Sequence, residues 1–335
     1  MVLCAIVEKK NAPNVLAYIK EHDISDSKFR VFSDEQFLFI PVKNVFSHPD
    51  THFEEKSDEE FAKKIKIQSL KELIEQELPQ AKGVKTSFEI IGTIAILEID
   101  EQYRTFEQKI AQLLLDAHAH VRTVVRKDGP HQGPYRIQQV RHLAGEKTTQ
   151  TIHVENGVRL EMDIQKTYFS PRMASERERL CAQIAQGQWV LDMFCGVGSL
   201  VVQAAKLGAN VTGIEINPDA VSFAKQNLKK NHVRADILQG DAQTIALTVK
   251  QSFDHIIMNH PKASWEFLES ANTHFQKNTI LHFYCFAKEN EFEQSAKDLQ
   301  DFFSKKNKQT KLLGIHTCGT QGVRIHRICI DIECL

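Results

Sequence analysis

The chain has 335 residues, 42% of them hydrophobic, so it can bury a large core divided over two or three domains. Its 42 lysines and arginines nearly balance its 43 aspartates and glutamates, which excludes a general positive field and limits any contact with nucleic acid to local patches. The seven cysteines form no C-x-x-C pair, which argues against a zinc site of ordinary spacing and predicts reduced thiols. Since no apolar run approaches the roughly 18 residues that span a bilayer, we expect a cytoplasmic protein with no membrane partner.

The first 60 residues predict a small α/β domain that ends in a linker. An apolar stretch at residues 2–7 precedes a helical pattern at residues 11–24, and residues 29–42 predict two strands around a turn at Ser33 and Asp34. The acidic tract from Phe46 to about Glu60 has the composition of a linker. We therefore place a domain boundary after residue 60.

Residues 61–165 predict a second α/β domain. It contains an amphipathic helix over 65–78, a strand pair over 87–99 and a helix over 104–117. A stretch rich in arginine, lysine and glycine follows at 120–145, and its side chains Arg122, Arg126, Lys127 and Arg141 are candidates for phosphate contacts. Asn156–Gly157 predicts the turn of a hairpin between two strands.

From residue 166 to residue 335 the pattern changes to strands that alternate with helices. A buried strand over 188–194 is followed by a helix that stops at Gly208, and a second strand over 209–216 by a helix over 218–231. Further strands are predicted at 236–242, 253–261, 278–286 and 323–333. This alternation predicts a doubly wound parallel sheet covered on both faces.

The carboxyl end of the first strand in this third domain carries a glycine motif, Asp192-Met-Phe194-Cys-Gly196-Val-Gly198. Open α/β sheets bind ligands at this edge, and the two glycines allow the backbone to approach a ligand closely. Cys195 lies inside the motif, where we expect it to pack rather than to act as a nucleophile.

Two further acids stand at strand ends. Glu215 ends the second strand, about 20 residues after Asp192, at the position that accepts ribose hydroxyls in related folds. Asp241 follows the third strand, where a carboxylate can receive an adenine amino group. One acid alone would more often cap a helix, but three strand ends together favour a nucleotide site.

The ligand predicted for this edge is S-adenosylmethionine rather than a dinucleotide. Val201 occupies the place of the third glycine of a G-x-G-x-x-G pattern, which disfavours a pyrophosphate. The fourth strand ends in Asn259-His260-Pro261-Lys262, and the asparagine amide offers both a donor and an acceptor to a planar base.

At these residues the chain resembles the archaeal and eukaryotic tRNA guanine-37 N1-methyltransferases, the Trm5 family. The phrases that carry the resemblance are FIPV at 39–42, FEIIGTIAILEI at 88–99, residues 135–180, DMFCGVGSL at 192–200 and MNHPKASWEFLESA at 258–271, so it covers nearly the whole chain. It implies a class I, Rossmann-like catalytic domain at 166–335, a middle RNA-binding domain at 61–165 and a small domain at 1–60 that contacts the outer corner of the tRNA.

The resemblance also implies residue roles. Glu176 matches the proposed general base, and Arg136 matches the arginine that approaches guanine O6. Tyr168 and Asn259 match positions near the donor and the target base, and Pro261 shapes the same loop. The residues expected to bind the methyl donor are Tyr168, Asp192, Phe194, Gly196, Gly198, Glu215, Asp241, Asn259 and Pro261, and no metal is expected.

These roles agree with the chemistry of guanine. N1 carries a proton at neutral pH, so a carboxylate such as Glu176 must accept it. The negative charge then spreads to O6, where Arg136 can stabilise it. Without the resemblance, Glu176 would be read as one member of a charged helix start and Arg136 as one of several phosphate contacts.

Alternatives remain open at this stage. A relative of the wybutosine pathway would transfer the aminocarboxypropyl group to a modified guanine or methylate carbon seven of a tricyclic guanine, and a silent homologue would only bind RNA. Glu176 together with Arg136 favours N1 methylation. His260 departs from the Asn-Leu-Pro that is common in the family and leaves the target atom less certain than the fold. We expect the protein to act on the anticodon loop as a monomer.

Overall fold

The computed structural model describes residues 2–26, 28–29, 31–34, 36–57, 69–81, 83–84, 86–129, 133–322 and 324–335. The chain divides into two compact units, Met1–Leu73 and Ile74–Leu335. The domain boundary predicted after residue 60 and the first four residues of the helix predicted over 65–78 lie outside the described residues.

The first unit is a four-stranded antiparallel sheet, in the order β2-β3-β1-β4, that packs against one helix. Val7 of the first strand shares an apolar cluster with Val15 and Ile19 of the helix, because both elements turn one apolar face inward. The predicted small α/β module is confirmed. Its elements are β1 (Val2–Glu8), α1 (Ala12–Glu21), β2 (Phe32–Ser33), β3 (Phe37–Pro41) and β4 (His52–Lys56).

Helix α2 (Leu70–Glu77) precedes a second four-stranded sheet, which opens the larger unit. Its strand order is β5-β6-β7-β8, with β6 and β7 parallel and the other pairs antiparallel. The predicted strand pair and helix are confirmed, with a 3₁₀ turn before the helix. The elements are β5 (Thr86–Ile91), β6 (Ile94–Ile99), α3 (Glu107–Ala117), β7 (Thr123–Lys127) and β8 (Val140–Gly145).

A separate hairpin, β9 (Gln150–Glu155) and β10 (Val158–Asp163), follows. Asn156 and Gly157 both have positive φ, 45° and 74°, as a two-residue hairpin turn requires. The turn predicted from this dipeptide is confirmed.

The remaining residues form a seven-stranded sheet in the order β13-β12-β11-β14-β15-β17-β16. Val190 and Leu191 are neighbours on β11 and enter different apolar clusters, so the sheet buries both faces. The strands are β11 (Trp189–Asp192), β12 (Asn210–Glu215), β13 (Asp236–Gln239), β14 (His255–Met258), β15 (Ile280–Ala287), β16 (Thr310–Gly322) and β17 (Ile325–Cys334). The helices are α4 (Ala174–Cys181), α5 (Ser199–Lys206), α6 (Pro218–Lys230), α7 (Ala242–Thr248), α8 (Leu268–Asn272) and α9 (Phe292–Ser304).

The predicted doubly wound sheet is confirmed, but the prediction of parallel pairing is wrong at one edge. Strands β13, β12, β11, β14 and β15 pair in parallel, but β17 is antiparallel to both β15 and β16. A short connection between β16 and β17 forces the chain to reverse, which only antiparallel pairing permits. The sequence pattern predicts no strand over residues 310–322, a segment that contains three glycines.

The hairpin β9–β10 and the sheet β5–β8 pack into the same apolar cluster as helices α5 and α6, with Ile94, Leu160 and Val201 among its members. The larger unit is therefore built around a continuous core. Among the described residues, no helix combines the length and the apolar character that crossing a membrane requires.

Candidate active site

A cavity of about 520 Å³ opens at the carboxyl ends of β11, β12, β13 and β14, and we call it the first cavity. Nearly all of the residues predicted to bind a ligand line it: Arg136, Tyr168, Phe194, Gly196, Glu215, Asp241, Asn259 and Pro261. Three predicted residues, Asp192, Gly198 and Glu176, do not belong to its lining.

The glycine motif forms the floor of the first cavity and begins helix α5. Gly196 and Gly198 have φ values of 55° and 80°, which favour glycine over residues with a side chain. A Cβ at Gly198 would lie 3.2 Å from the Ala224 side chain of α6, so this glycine also permits close packing of two helices. The loop can therefore bring its backbone to the surface of the cavity.

Glu215 connects the floor to the next strand end. One of its oxygens accepts the N–H of Gly196 at 2.9 Å, and the other accepts the N–H of Asn217 at 2.8 Å. Burial raises the pKa of Glu215 above its ordinary value, although the backbone N–H groups of Asn217 and Gly196 act against that rise. A carboxylate offers about four lone-pair sites, so two remain for the hydroxyls of a ligand.

Asp241 stands at the rim of the same cavity as the N-cap of α7. Its carboxylate accepts the N–H of Gln243 at 2.8 Å. The residue is exposed, and it still lines the first cavity. Asp241 thus combines a helix cap with a free oxygen that can face a ligand.

Asp192 is 4% exposed and supports the motif from below. It accepts the N–H of Phe194 at 3.1 Å, and burial raises its pKa to about 7, with the nearby charge of Glu215 adding to the effect. Asp192 therefore shapes the turn that carries Phe194 and Gly196, and it is not part of the lining of the first cavity.

The Asn259 loop closes one side of the cavity. The hydroxyl of Ser264 is fully buried and donates to the carbonyls of Met258 and His260, which fixes the loop after β14. The side chain of Asn259 has no hydrogen-bond partner among the described residues, so its amide is available to a ligand.

His260 packs against Phe194, with ring centroids 5.1 Å apart. Burial lowers the pKa of His260, and the charge of Arg136 lowers it further. Its Nδ1 is buried without a partner among the described residues. The imidazole is therefore a neutral, packed ring on the wall of the cavity.

Arg136 and Tyr168 lie together in the lining of the first cavity. The guanidinium carbon of Arg136 lies 4.2 Å from the centre of the Tyr168 ring, a cation–π contact. Arg136 has a φ of 52°, a backbone conformation that a non-glycine residue adopts at a cost. No carboxylate of the described residues forms an ion pair with Arg136. Its positive charge can therefore interact with a negatively charged group of a ligand in the first cavity.

Glu176 lies on α4, is 6% exposed and faces the sheet. Arg179 donates to both of its oxygens, at 2.9 and 2.8 Å, and the hydroxyl of Tyr284 donates to Oε1 at 2.5 Å. Burial raises the pKa of Tyr284 well above its ordinary value, so the phenol stays protonated and remains a donor. These three donors hold the carboxylate in one orientation.

A chain of buried hydrogen bonds continues from Arg179 into the sheet. Arg179 donates to Asp331 at 2.7 Å, and Asp331 pairs with Nδ1 of His282 at 2.8 Å. His282 in turn lies 3.1 Å from Nδ1 of His255. Burial acts to raise the pKa of Asp331, but hydrogen bonds from His282 and Arg179 outweigh it and hold the pKa well below its usual range.

His282, Cys329 and Asp331 also meet the spacing of a metal-binding cluster. Cys329 and His282 both hydrogen-bond the same oxygen of Asp331, and the guanidinium of Arg179 neutralises the other. Hydrogen bonds account for the arrangement, and the cation already present disfavours a second one. We call the set formed by Glu176, Arg179, Tyr284, Asp331, His282 and His255 the buried network.

The sequence did not single out Arg179, Tyr284, Asp331, His282 or His255. Arg179 pairs with Glu176 only three residues away, as in an ordinary helical ion pair, and the other contacts of the network join residues far apart in the chain, so no local motif marks it. The predicted phosphate contact at Arg126 is wrong, because this side chain is 4% exposed and bound to Glu107 at 2.6 Å. Pro130, His131 and Gln132, which precede Arg136 in the chain, lie outside the described residues.

Three protein families match consecutive parts of the chain. Residues 4–49 match the tRNA methyltransferase 5 N-terminal domain, residues 70–148 match the TYW2 N-terminal domain, and residues 151–313 match the TRM5/TYW2 methyltransferase domain.

Relatives cover the full length. The tRNA (guanine(37)-N(1))-methyltransferase Trm5b of Pyrococcus abyssi is 32% identical over 335 residues, 99% of each chain. Its crystal structure has a TM-score of 0.72 and covers 100% of this chain and 99% of that one, at 31% identity. A complex of aTrm5 with tRNALeu has a TM-score of 0.69 at 26% identity, and Methanocaldococcus jannaschii Trm5 with adenosine has 0.66 at 25%, each covering 99% of both chains.

Proposed function

The chain belongs to the Trm5 family of tRNA (guanine-37-N1)-methyltransferases, and from this premise we propose how its residues carry the methyl group of S-adenosylmethionine to N1 of guanine 37 in tRNA. The observation that carries the proposal is the composition of the first cavity. One side presents Glu215 and the glycine floor, which suit a nucleoside, and the other presents Arg136, Tyr168 and Asn259, which suit a base.

The donor side fits S-adenosylmethionine. Glu215 keeps two lone-pair sites for ribose hydroxyls, Asp241 offers an oxygen to the adenine amino group, and Phe194 adds an apolar face. Asp192 and Gly198 keep the loop in place from behind. When bound, the donor supplies a methyl group that its sulfonium has already activated, so positioning provides most of the remaining rate.

The target side recognises guanine. Arg136 is expected to face O6, where charge develops as N1 loses its proton, and a fixed guanidinium stabilises that charge more in the transition state than in the ground state. Tyr168 holds the guanidinium by its ring. Asn259 has a free amide that can hydrogen-bond to the edge of the base. Pro261 restricts the backbone conformation of the loop that carries Asn259.

Glu176 is proposed as the acceptor of the N1 proton. Arg179 and Tyr284 occupy three of its roughly four lone-pair sites, which leaves one for the base. Because the carboxylate faces the sheet in this structure, we expect guanine to enter deeply enough to reach it or the Glu176 side chain to turn toward the first cavity when tRNA binds. Arg179 and Tyr284 are positioning residues in this scheme.

The remaining parts of the proposal concern the partner and the state of the protein. We assign residues 1–60 to contact with the outer corner of the tRNA, residues 61–165 to the anticodon stem and loop, and residues 166–335 to catalysis. The described cysteines are all free thiols, which suits a reducing cytoplasm. One chain supplies both sides of the first cavity, so a monomer suffices.

The test is transfer of labelled methyl to an unmodified tRNA transcript with guanine at position 37, beside a transcript with adenine there. We expect N1-methylguanosine only in the first, and a loss of kcat of about 10²–10⁴ in Glu176→Gln, the range of a general base. Asp241→Asn, a change at the donor side, should raise the KM for the donor instead. Donor binding without methylation of guanine 37 would overturn the proposal and favour a modified guanine as substrate.

A further inference from the structure

A second cavity of about 560 Å³ adjoins the first, and the two share the wall formed by Tyr168, Phe169, Ser170 and Arg327. The second cavity lies between the sheet β5–β8 and the strand β16, so it is formed by the middle and catalytic parts of the larger unit. None of the residue roles proposed above requires it.

Arg327 lies on the shared wall, and no carboxylate of the described residues neutralises its charge. Its Nε is buried without a hydrogen-bond partner, and its Nη1 contacts the sulfur of Met173 at 2.8 Å. Among the described residues no carboxylate forms an ion pair with it. The guanidinium also lies 5.9 Å from the centre of the Phe286 ring. A half-buried charge with an aromatic ring and a sulfur beside it but no counter-ion is still costly, so an anionic ligand would complete this site.

The acidic side chains of the second cavity do not neutralise the charge of Arg327. Its two acids, Glu89 and Glu98, lie 3.2 and 2.5 Å from the ammonium of Lys127. Arg172 is a further 3.6 Å contact of Glu89. Lys127 and Arg172 thus balance the two carboxylates, and Arg327 remains as the excess positive charge beside the shared wall.

The second cavity also offers a hydrogen-bond acceptor suited to a base. Gln138 is 7% exposed, and its amide nitrogen donates to the carbonyls of Gly129 and Gln139 at 2.8 and 3.0 Å. Those two bonds fix the amide, so Oε1 is an acceptor that no described residue occupies. A nucleobase has N–H groups of the matching kind.

We propose that the second cavity binds the nucleotide next to the target guanine, and that Arg327 binds the phosphate that joins the two. A single strand that places one base in the first cavity must cross the shared wall to reach the second, and a phosphodiester lies at every such crossing. The guanidinium fork suits phosphate oxygens. This inference rests on the proposed function, since it takes the target base to lie in the first cavity.

The first experiment compares binding of tRNA to the wild type, Arg327→Ala and Arg327→Lys at several salt concentrations. Arg234→Ala is the matched control, because it removes an exposed arginine next to β13, at the opposite edge of the same sheet. We expect Arg327→Ala to weaken tRNA binding about tenfold and to reduce the slope of log K against log salt by about 1, with a smaller loss in Arg327→Lys.

The carboxylate of S-adenosylmethionine is the other anion that Arg327 could bind. Calorimetry of donor binding distinguishes this carboxylate from the tRNA phosphate. Unchanged donor affinity in Arg327→Ala supports the phosphate. Weakened donor binding with unchanged tRNA binding overturns it, as does equal tRNA binding by Arg327→Ala and Arg234→Ala. Methylation by Arg327→Ala at saturating tRNA keeps the proposed function separate from this inference, because the target base can still be methylated when one phosphate contact is lost.

A second measurement needs no variant and so does not depend on folding of a mutant. Wild-type protein is titrated with transcripts that are abasic at position 36 or at position 38. If the second cavity holds a neighbouring base, one of the two transcripts should bind about tenfold more weakly, the scale of one lost base contact. Equal binding of both abasic transcripts and the intact tRNA would overturn the subsite.

Discussion

The first cavity and the buried network are both rich in polar groups, but they satisfy those groups in different ways. In the cavity, Glu215 and Asp241 bind backbone N–H groups and retain free lone pairs, and the amide of Asn259 is unpartnered among the described residues. In the network, Glu176 and Asp331 are held on several sides by side chains. Spare hydrogen-bonding capacity marks where ligands bind. In the network one lone-pair site of Glu176 remains for the base, and the other members of the network orient that carboxylate.

Among the residues that line the first cavity, the largest expected effect comes from removing the cation Arg136. Arg136→Ala should lower kcat about 10²–10³-fold, the range for loss of one group that stabilises a developing oxyanion, and should change the KM for the donor little. Steady-state kinetics with separate titration of tRNA and donor measures this. Alanine tolerates the positive φ of position 136 no worse than arginine, so the fold should persist.

Arg136→Lys is the matched control because it keeps the charge without the planar fork, and we expect it to recover part of kcat. A rise in the KM for tRNA with unchanged kcat in Arg136→Ala would contradict the O6 assignment and make Arg136 a phosphate contact instead.

The second prediction tests whether Asp192 is buried beneath the glycine motif. Its pKa is raised from 3.8 to about 7, so the folded state holds a proton that the unfolded state releases. This contribution to stability is complete below about pH 4 and is lost as pH rises through about 7. Asparagine keeps the acceptor for the N–H of Phe194 and does not ionise.

Asp192→Asn should therefore gain stability relative to the wild type by on the order of 2 kcal/mol between pH 5 and pH 8. Urea unfolding at the two pH values measures the difference, with Asp241→Asn as a control for loss of a carboxylate at the same edge of the sheet. A difference that stays constant with pH would mean that Asp192 is solvated.

The same contrast explains how much the sequence could predict. The residues of the first cavity stand at strand ends within short motifs, so periodicity and glycines placed Gly196, Glu215 and Asn259 correctly at one edge of the sheet. The network joins Glu176 on α4 to Tyr284 on β15 and Asp331 on β17. Such contacts follow from strand order, and the antiparallel position of β17 was not predicted.

Arg126 shows the same limit from the other direction. Its sequence neighbours predict a basic surface, but the pairing of β7 within its sheet turns it inward to Glu107 on α3. The composition of a segment predicts that its surface is basic, but only the tertiary structure decides which of its basic side chains are exposed on that surface.

The third effect removes one donor from the network. Tyr284→Phe should lower kcat about tenfold, the scale of one hydrogen bond to a charged group, without raising the KM for tRNA. The phenol donates to the carboxylate of Glu176, so its loss should act on the chemical step rather than on tRNA binding. Steady-state kinetics with separate titration of tRNA and donor measures kcat and both KM values.

Thr279→Val is the matched control for this change. Its hydroxyl is also buried on the way into β15 and donates to the carbonyl of Phe253 at 2.8 Å, but it does not touch Glu176. We expect this variant to lose stability while kcat keeps its wild-type value. The same loss of kcat in both variants would assign Tyr284 a structural role only.

The smallest effect concerns the residue at which the chain departs from its family. His260→Leu should change kcat by less than about threefold and leave N1 of guanine as the methylated atom, because the neutral ring contributes packing on Phe194, which leucine can supply. It should also stabilise the fold by about 1 kcal/mol, since the partnerless Nδ1 disappears. Product analysis by mass spectrometry and urea unfolding measure these outcomes. A large loss of activity would show that the imidazole contacts the base, and methylation at another atom would make His260 the residue that selects N1. In either case the His260 imidazole beside Asn259 would be a polar group that binds the ligand, as the other polar groups of the first cavity are proposed to do.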